Sequence, residues 1–147
     1  MEEHIAYRLA GHTLFLHQQN LGIRFETFYN GWLFDLPDFI FTLAKKKKKT
    51  LQPAQYYECY YVVLNWDEKN LKLFLAKHTI PHFIPIDAIG NKYLNSDIRF
   101  FIASLGEYLD AFVTRREICK QIKPHVNTLL HNESYDNISF NFNYKIV

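Results

Sequence analysis

The sequence holds one dense cluster of charge, a run of five consecutive lysines at Lys45–Lys49. Clustered ammonium groups attract phosphate oxygens, so such a run can give weak, salt-sensitive binding to nucleic acid. It can also be the solvated end of a helix or a hairpin loop, because adjacent like charges repel one another and stay in water. We predict the solvated end. The alternative is an anion contact made by Lys45, Lys46, Lys47, Lys48 and Lys49.

The charge outside this run argues against a broad nucleic-acid interface. The 17 basic and 15 acidic residues leave a formal net charge of +2. The lysine run alone carries more positive charge than this excess, so the rest of the chain is faintly acidic. A protein that binds nucleic acid usually spreads Lys and Arg along the face that meets the phosphates. We therefore rank nucleic-acid binding second, after protein binding.

The seven histidines raise the question of a metal site. His78 and His82 have the H-x3-H spacing that places two ligands on one face of a helix. Pro81 lies between them and argues against a helix there. His12 and His17 are five residues apart in a predicted strand, where they point to opposite faces. We therefore expect no metal and no cofactor.

The motifs of common enzymes are missing from the sequence. There is no GxSxG turn for a nucleophile and no glycine-rich loop for a phosphate. The acidic and basic residues at 67–69 lack the spacing of a nuclease carboxylate–lysine site and are typical of a hairpin turn. We predict that the chain is not an enzyme. A small hydrolase or ribonuclease is the alternative, because histidines from distant parts of a chain can converge in space.

The aromatic run YYECYY at 56–61 could stack the bases of a single-stranded nucleic acid. Stacking sites also need Lys or Arg nearby to hold the phosphates, and none occurs between Tyr56 and Trp66. Glu58 lies within the run instead. We interpret the run as core and cross-strand packing, with anchoring of a protein interface as the alternative.

The elements that must position these residues are mostly strands. Residues 22–29 alternate in the two-residue period of a half-exposed strand. Residues 56–66 are apolar or aromatic on both faces, which predicts a central strand. Residues 139–147 alternate as well, and we expect them to dock on the sheet. The segments predicted as strands are 4–9, 12–18, 22–29, 56–66, 71–78 and 139–147.

The clearest predicted helix spans residues 96–122. Ser96 is the candidate N-cap, and Asp97 suits the first turn. Gly106 interrupts the helix at a cost of roughly 1 kcal/mol relative to alanine, which suggests that a neighbouring group approaches there. Seven apolar residues form one stripe: Ile98, Phe101, Ile102, Leu105, Leu109, Phe112 and Val113.

Three other segments are less regular. Residues 32–49 fit either a helix or a strand, and we favour a helix because the lysines suit its last turn. Residues 36–46 in particular do not distinguish the two. Residues 79–91 contain Pro81 and Pro85, and we predict a connector or an irregular edge. Residues 125–131 are predicted as one or two further helical turns.

These elements predict an α+β fold in a single domain over residues 1–147. Its core would be a mostly antiparallel β-sheet of about five to six strands, with a long C-terminal helix packed on one face. Aromatic residues make up 17% of the chain and can fill such a core without disulfides. We predict Cys59 and Cys119 as buried free thiols.

The localisation follows from what the sequence lacks. The first residues, MEEHIAYRLAGH, hold no apolar stretch of signal-peptide length. No segment approaches the roughly 20 apolar residues of a membrane helix. We therefore expect a cytoplasmic protein with no membrane partner. The oligomeric state is open.

By elimination, we predict a non-enzymatic protein-binding module. The specific hypothesis is a small cytoplasmic inhibitor, such as an immunity protein or antitoxin that neutralises a toxin or nuclease by direct binding. Small inhibitors of this kind act by surface complementarity and need no motif. Acidic side chains would attract a basic nuclease. The predicted partner-binding residues are Glu26, Asp35, Asp38, Asp67 and Glu68.

Overall fold

The computed structural model describes residues 5–29 and 55–141. The strands of the larger sheet are β1 (Ile5–Leu9), β2 (His12–His17), β3 (Asn20–Tyr29), β4 (Gln55–Asp67) and β5 (Lys72–His78). Two helices follow, α1 (Ile86–Tyr93) and α2 (Ile98–Ile122), and then a 3-10 turn at Lys123–His125. A smaller sheet is formed by β6 (Thr128–His131) and β7 (Ile138–Asn141). The predicted α+β class is confirmed.

The larger sheet is an antiparallel meander in the order β1-β2-β3-β4-β5. Its first turn uses Ala10 and Gly11, both with positive φ, which suits the twist of a tight hairpin. Strand β4 lies between β3 and β5, so the predicted internal position of 56–66 is confirmed. Strand β5 lies at the end of the order and forms an edge.

Edge strand β5 contains an irregularity. Leu64 of β4 pairs with Leu75, whereas the preceding Val63 pairs with Lys77, so Ala76 is an extra residue on β5. One extra residue makes a β-bulge, which bends the strand and interrupts the regular ladder. The regular part of β5 therefore runs from Lys72 to Leu75.

The described residues form two compact units. The first holds residues 5–27 and 57–109, and the second holds residues 28–29, 55–56 and 110–141. Helix α2 supplies residues to both units, because the division falls between Leu109 and Asp110. A single domain over residues 1–147 remains a prediction.

The core of the first unit lies between one face of the sheet and the helices. Alternate residues in the middle of these strands are buried, from Ile23 to Thr27 in β3 and at Val62 and Leu64 in β4, as the two-residue period requires. The apolar stripe of α2 is confirmed: from Phe101 to Val113 its members are buried, and Ile98 is half-buried. Burial of one such side chain stabilises the fold by about 1.5–3 kcal/mol. The core side chains include Ile23, Phe25, Val62, Leu64, Ile86, Ile89, Phe101, Ile102, Leu105 and Leu109.

Gly106 lets the sheet approach α2 closely, as its position in the sequence suggested. A Cβ atom on Gly106 would lie 2.5 Å from Nε2 of His12. The His12 ring is buried beside Phe25, with ring centroids 4.9 Å apart, and its Nδ1 accepts a hydrogen bond from the Glu26 N–H at 3.2 Å. Burial lowers the pKa of His12 below its usual value. A neutral imidazole therefore fills the space that the missing side chain leaves.

The N-cap of α2 differs from the prediction. Asp97 caps the helix, because its Oδ1 accepts the N–H of Arg99 at 3.0 Å. The hydroxyl of Ser96 instead donates to the carbonyl of Lys92, in the last turn of α1, at 2.9 Å. Ser96 thus ends one helix and Asp97 begins the next. The sequence could not separate the two because both residue types are good N-caps.

Helix α1 corrects the interpretation of 79–91 as a connector. Pro85 directly precedes Ile86, and proline at a helix start costs no hydrogen bond. Ile86 and Ile89 are buried one turn apart, which supplies the apolar face. The prolines do not break the whole segment, because Pro85 lies at the position where the helix begins.

The C-terminal elements also differ from expectation. Residues 125–131 were predicted as helical turns, but Thr128–His131 form strand β6. Strand β7 pairs antiparallel with β6 and not with the larger sheet, so the docking on that sheet predicted for 139–147 is wrong for residues 139–141. Residues 142–147 and the segment 32–49 lie outside the described residues. Strands β6 and β7 pair with each other in a sheet of two strands, and alternation within one strand could not reveal this partner.

In the second unit, the loop between β6 and β7 is bonded to helix α2. The guanidinium of Arg115, on α2, donates two hydrogen bonds to the carbonyl of Ser134, at 3.0 and 3.2 Å. The ring of Tyr135 contacts Phe112 and stacks on His131, with centroids 6.0 and 4.1 Å away. The hydrogen bonds of Arg115 and the ring contacts of Tyr135 thus hold this loop in place.

The two cysteines lie in different environments, and both are free thiols. Cys119 is buried, as predicted. Cys59 is exposed, so its predicted burial is wrong. Its position in β4 explains the difference, because Cys59 alternates with the buried side chains of Val62 and Leu64 and faces away from the helices.

Candidate protein-binding surfaces

Glu26, a predicted partner-binding residue, is engaged within the protein. Its carboxylate accepts hydrogen bonds from Arg8 at 2.6 Å, from Thr13 at 2.9 Å and from Arg24 at 3.2 Å. The hydrogen bond from Thr13, followed by those from Arg24 and Arg8, holds the pKa of Glu26 below its usual value. Its charge is already compensated, which leaves it little attraction for a basic partner.

The predicted residues Asp67 and Glu68 lie in the turn between β4 and β5. Asp67 accepts the N–H groups of Lys69 and Asn70 at 2.9 and 3.4 Å and the side-chain amide of Asn70 at 2.7 Å. These bonds, led by that side-chain amide, lower the pKa of Asp67. Glu68 accepts the side-chain amide of Gln19 at 2.9 Å. The bonds of Asp67 are local and stabilise its own turn, as such side-chain bonds commonly do. The bond of Glu68 instead joins this turn to the one between β2 and β3. The hairpin turn predicted at 67–69 is confirmed.

The described contacts place the predicted acidic residues in two separate clusters. Glu26 belongs to the cluster around Arg8 and Arg24, and Asp67 and Glu68 belong to the β4–β5 turn. Asp35, Asp38 and Lys45–Lys49 lie outside the described residues. The anion contact at the lysine run and the binding of a partner by the five acidic residues stay predictions.

The face of the larger sheet opposite the helices exposes aromatic side chains, and we call it the open face. It is formed by the residues that alternate with the buried ones. Phe15, Tyr61 and Phe74 have 36%, 48% and 46% of their surface exposed. The guanidinium of Arg24 lies 5.7 Å from the centre of the Phe15 ring, in cation–π geometry. Exposed aromatics beside arginine are the residue types that anchor protein interfaces.

The aromatic run of β4 is partly packed against the core and partly exposed to solvent. Tyr60 is half-buried against the core, which confirms packing for that residue. Tyr61 and Tyr56 are exposed, so packing does not account for the whole run. The alternation predicted that the run would separate onto two faces, and an interface anchor was the alternative that the sequence left open.

The outer edge of β5 carries a contact that the sequence did not reveal. The side-chain amide of Asn95, just after α1, accepts the N–H of Leu73 at 2.7 Å and donates to the carbonyl of Leu73 at 2.9 Å. This two-point contact occupies the groups that a neighbouring strand would otherwise bind. Little in the sequence indicated this contact, because it is made by a single asparagine that follows a helix the sequence did not predict.

A cavity of about 360 Å³ lies between β5 and α1. Its apolar lining comes from both elements and from α2. Gly90 forms part of the α1 wall, where the absence of a side chain enlarges the space. The polar residues Lys72, Asp87, Asn91 and Asn95 complete the lining. The apolar residues that line it are Leu73, Phe74, Leu75, Ile86, Leu94 and Phe101.

Metal-binding and membrane-spanning features are absent over the ranges 5–29 and 55–141. No three histidine, cysteine or acidic residues there are grouped so that they could hold a metal ion. Neither helix within these ranges combines the length and the apolar content that crossing a bilayer requires. The open face and the β5 edge with its cavity are surfaces of the kind that proteins use to bind partners.

Comparison with known proteins decides the family. A family model described as Cenp-O kinetochore centromere component matches residues 5–143. The chain belongs to this family. The match includes every strand and helix that the structure describes, so the Cenp-O family assignment applies to both compact units.

Individual relatives agree with this Cenp-O assignment. Centromere protein O of Gallus gallus is 36% identical over 73 residues, which cover 46% of this chain and 22% of the relative. Centromere protein O of Homo sapiens is 36% identical over 58 residues, or 40% of this chain and 19% of the relative. That of Xenopus tropicalis is 23% identical over 77 residues, or 49% and 25%. The chain spans a quarter or less of each of these relatives.

The Cenp-O family overturns the predicted function. The hypothesis of an inhibitor, immunity protein or antitoxin that neutralises a toxin or nuclease is wrong, because the family is one of kinetochore components. Neither the ranked nucleic-acid alternative nor the hydrolase alternative is supported. The predicted cytoplasmic localisation is also wrong, since the description of the family names the kinetochore and the centromere. Elimination failed because inhibitors and assembly components alike lack catalytic motifs.

Proposed function

We propose that this chain is a structural, non-enzymatic component of the kinetochore, located in the nucleus at the centromere, where it holds other kinetochore proteins. The observation that carries the proposal is the family match over residues 5–143. Kinetochore components work within an assembly, so the expected partners are proteins.

The first unit is suited to such a role by the contrast between its two sheet faces. The helices and the buried side chains of β3 and β4 make a rigid support. The open face presents Phe15, Tyr61 and Phe74 on that support. Rigid aromatic side chains bind with a small loss of conformational entropy. A partner that covers them would bury about 800 Å² of this chain in an interface of standard size.

The test is the location of the full chain in dividing cells of its source organism. A fluorescently tagged chain should form foci that coincide with a centromere marker. Leu105→Asp, which places a charge in the core, should abolish the foci by unfolding the protein. Lys69→Ser, in the exposed β4–β5 turn, should retain them. A folded native chain that spreads evenly through the cell would refute the proposal.

A further inference from the structure

We propose that the outer edge of β5 and the cavity beside it bind an extended segment of a partner protein with alternating apolar and acidic residues. The partner backbone would pair with Leu73 and Leu75, and an apolar side chain would enter the cavity between β5 and α1. This site deepens the proposed function, and only the identity of the partner rests on that function.

The backbone of β5 is oriented for such pairing. Leu73 directs both its N–H and its carbonyl away from β4, because both bond to Asn95. Leu75 lies two residues further along in the same register, opposite Leu64. In an antiparallel ladder, alternate residues point their backbone groups in the same direction. Leu75 therefore also faces outward, and no strand of the described ranges pairs with that edge.

Asn95 covers part of this edge when no partner is bound. Exposed strand edges recruit other chains, and proteins protect them with bulges, lysines or covering groups. Here the bulge at Ala76 limits the regular edge, and the Asn95 amide covers one residue of it. An incoming backbone replaces the two hydrogen bonds of that amide with two of its own. The exchange adds the bonds of Leu75 and loses none at Leu73.

The cavity defines the apolar half of the partner segment. Leu73 and Leu75 point to the helix side of β5, as does the buried Leu64 that pairs with Leu75. Inward side chains of an added strand would point the same way, into the space lined by Ile86, Leu94 and Phe101. A volume of about 360 Å³ accepts a side chain as large as leucine. Strand addition with a side-chain pocket is a recurrent mode of peptide recognition.

The charges define the acidic half. Lys72 pairs with Asp67 and Lys77 pairs with Val63, so both lysines are on the open face of β5. The outward side chains of an added strand would stand beside these lysines. Asp87 is on the α1 wall of the cavity, on the side that receives the apolar residues. Acidic residues are therefore expected at the positions that alternate with the apolar anchors.

The test uses the purified full chain and a labelled octapeptide of alternating leucine and glutamate. We expect saturable binding by fluorescence anisotropy. We also expect NMR shifts at the N–H groups of Leu73 and Leu75 and at the side-chain amide of Asn95. The same peptide with lysine in place of glutamate should bind more weakly. Shifts confined to other residues, or absence of binding by the folded chain, would overturn the proposal.

Two variants of α1 separate the cavity from general effects. Gly90→Leu fills the cavity and should weaken peptide binding by about tenfold or more, since an occluded anchor pocket removes the main contact. Ala88→Leu adds the same side chain at an exposed position of the same helix and should leave affinity within about twofold. Equal effects of the two would refute the role of the cavity. The wild-type NMR shifts keep the test valid if Gly90→Leu does not fold.

Charge and edge variants complete the design. Lys72→Glu combined with Lys77→Glu should reverse the preference between the two peptides. Asn95→Ala should bind the leucine–glutamate peptide as tightly as the native chain or more tightly, because the competing amide is gone. Weaker binding by Asn95→Ala, or dimers of the chain joined through β5 in sedimentation, would contradict a separate peptide partner. Loss of peptide binding with centromere foci retained would remove this site and leave the proposed function standing.

Discussion

Both faces of the larger sheet carry large apolar or aromatic side chains, but only one face is covered by helices. Phe25, Val62 and Leu64 are 0% exposed on the helix side, whereas Phe15, Tyr61 and Phe74 are each more than a third exposed on the open face. Because strand residues alternate, these two sets are interleaved in the sequence. The contrast teaches that aromatic content alone does not distinguish core from exposed surface, since the covering helices decide which face becomes core.

The largest expected effect comes from matched truncations on the two faces. Phe25→Ala removes a fully buried ring and should lower the free energy of unfolding by about 3–5 kcal/mol. Phe15→Ala removes an exposed ring on the neighbouring strand and should cost about 1 kcal/mol or less. Urea denaturation of both variants measures the difference. Similar losses for the two would end the division of the sheet into a core face and an open face.

A second pair of variants tests how closely the covered face approaches its helix. Gly106→Ala should destabilise the protein by about 1–3 kcal/mol, because the new Cβ would collide with the buried His12 ring. Gly90→Ala, in α1, should instead stabilise by up to about 1 kcal/mol, since its Cβ would meet Phe101 at an ordinary 3.8 Å. Thermal unfolding decides the signs. Stabilisation by Gly106→Ala would show that His12 moves aside without cost.

The smallest expected effect concerns the second unit and its dependence on pH. Burial raises the pKa of Asp110 to about 6, although its Oδ1 accepts the N–H of Phe28 at 3.4 Å. A carboxyl whose pKa is raised on folding favours the folded state at low pH, and this contribution is lost as the pH rises through about 6. Asp110→Asn removes the titration. The stability of this variant relative to the native chain should therefore increase between pH 4 and pH 7.

The control for this comparison lies in His12. Its lowered pKa has the opposite sign, so its contribution is lost as the pH falls below the usual value for histidine. Native chain and variant share this term, and the difference between them cancels it. A difference that does not change with pH would show that the Asp110 carboxyl is as well solvated in the folded state as in the unfolded chain.

The elements with strong periodicity were predictable, and those defined by their neighbours were not. The alternation of 22–29 and the stripe of α2 follow from residues a few positions apart, and both are confirmed. Helix α1 was not predicted because prolines usually interrupt helices, whereas Pro85 lies just before this helix and not inside it. The sequence predicts the wrong sheet for β7 because β7 pairs with β6, and the residues of β6 were predicted as helical turns.

The candidate sites were harder to predict for the same reason. The acidic residues Glu26, Asp67 and Glu68 look like free surface charges in the sequence, yet each is held by a hydrogen-bond partner. The edge contact of Asn95 joins residues that are 22 positions apart. Contacts over such a separation arise from packing, and no short motif announces them. The proposed function rests on the family match, because a protein-binding surface needs no motif that a sequence would show.

The central claim is that the chain acts at the centromere through exposed surfaces that its core supports. The most direct measurement is the intensity of centromere foci formed by the full chain and by Tyr61→Ser combined with Phe74→Ser. The account predicts bright foci for the native chain. It predicts clearly weaker foci for the double variant at equal expression, with a thermal midpoint close to that of the native chain. Foci of unchanged intensity, or a native chain that forms none, would contradict it.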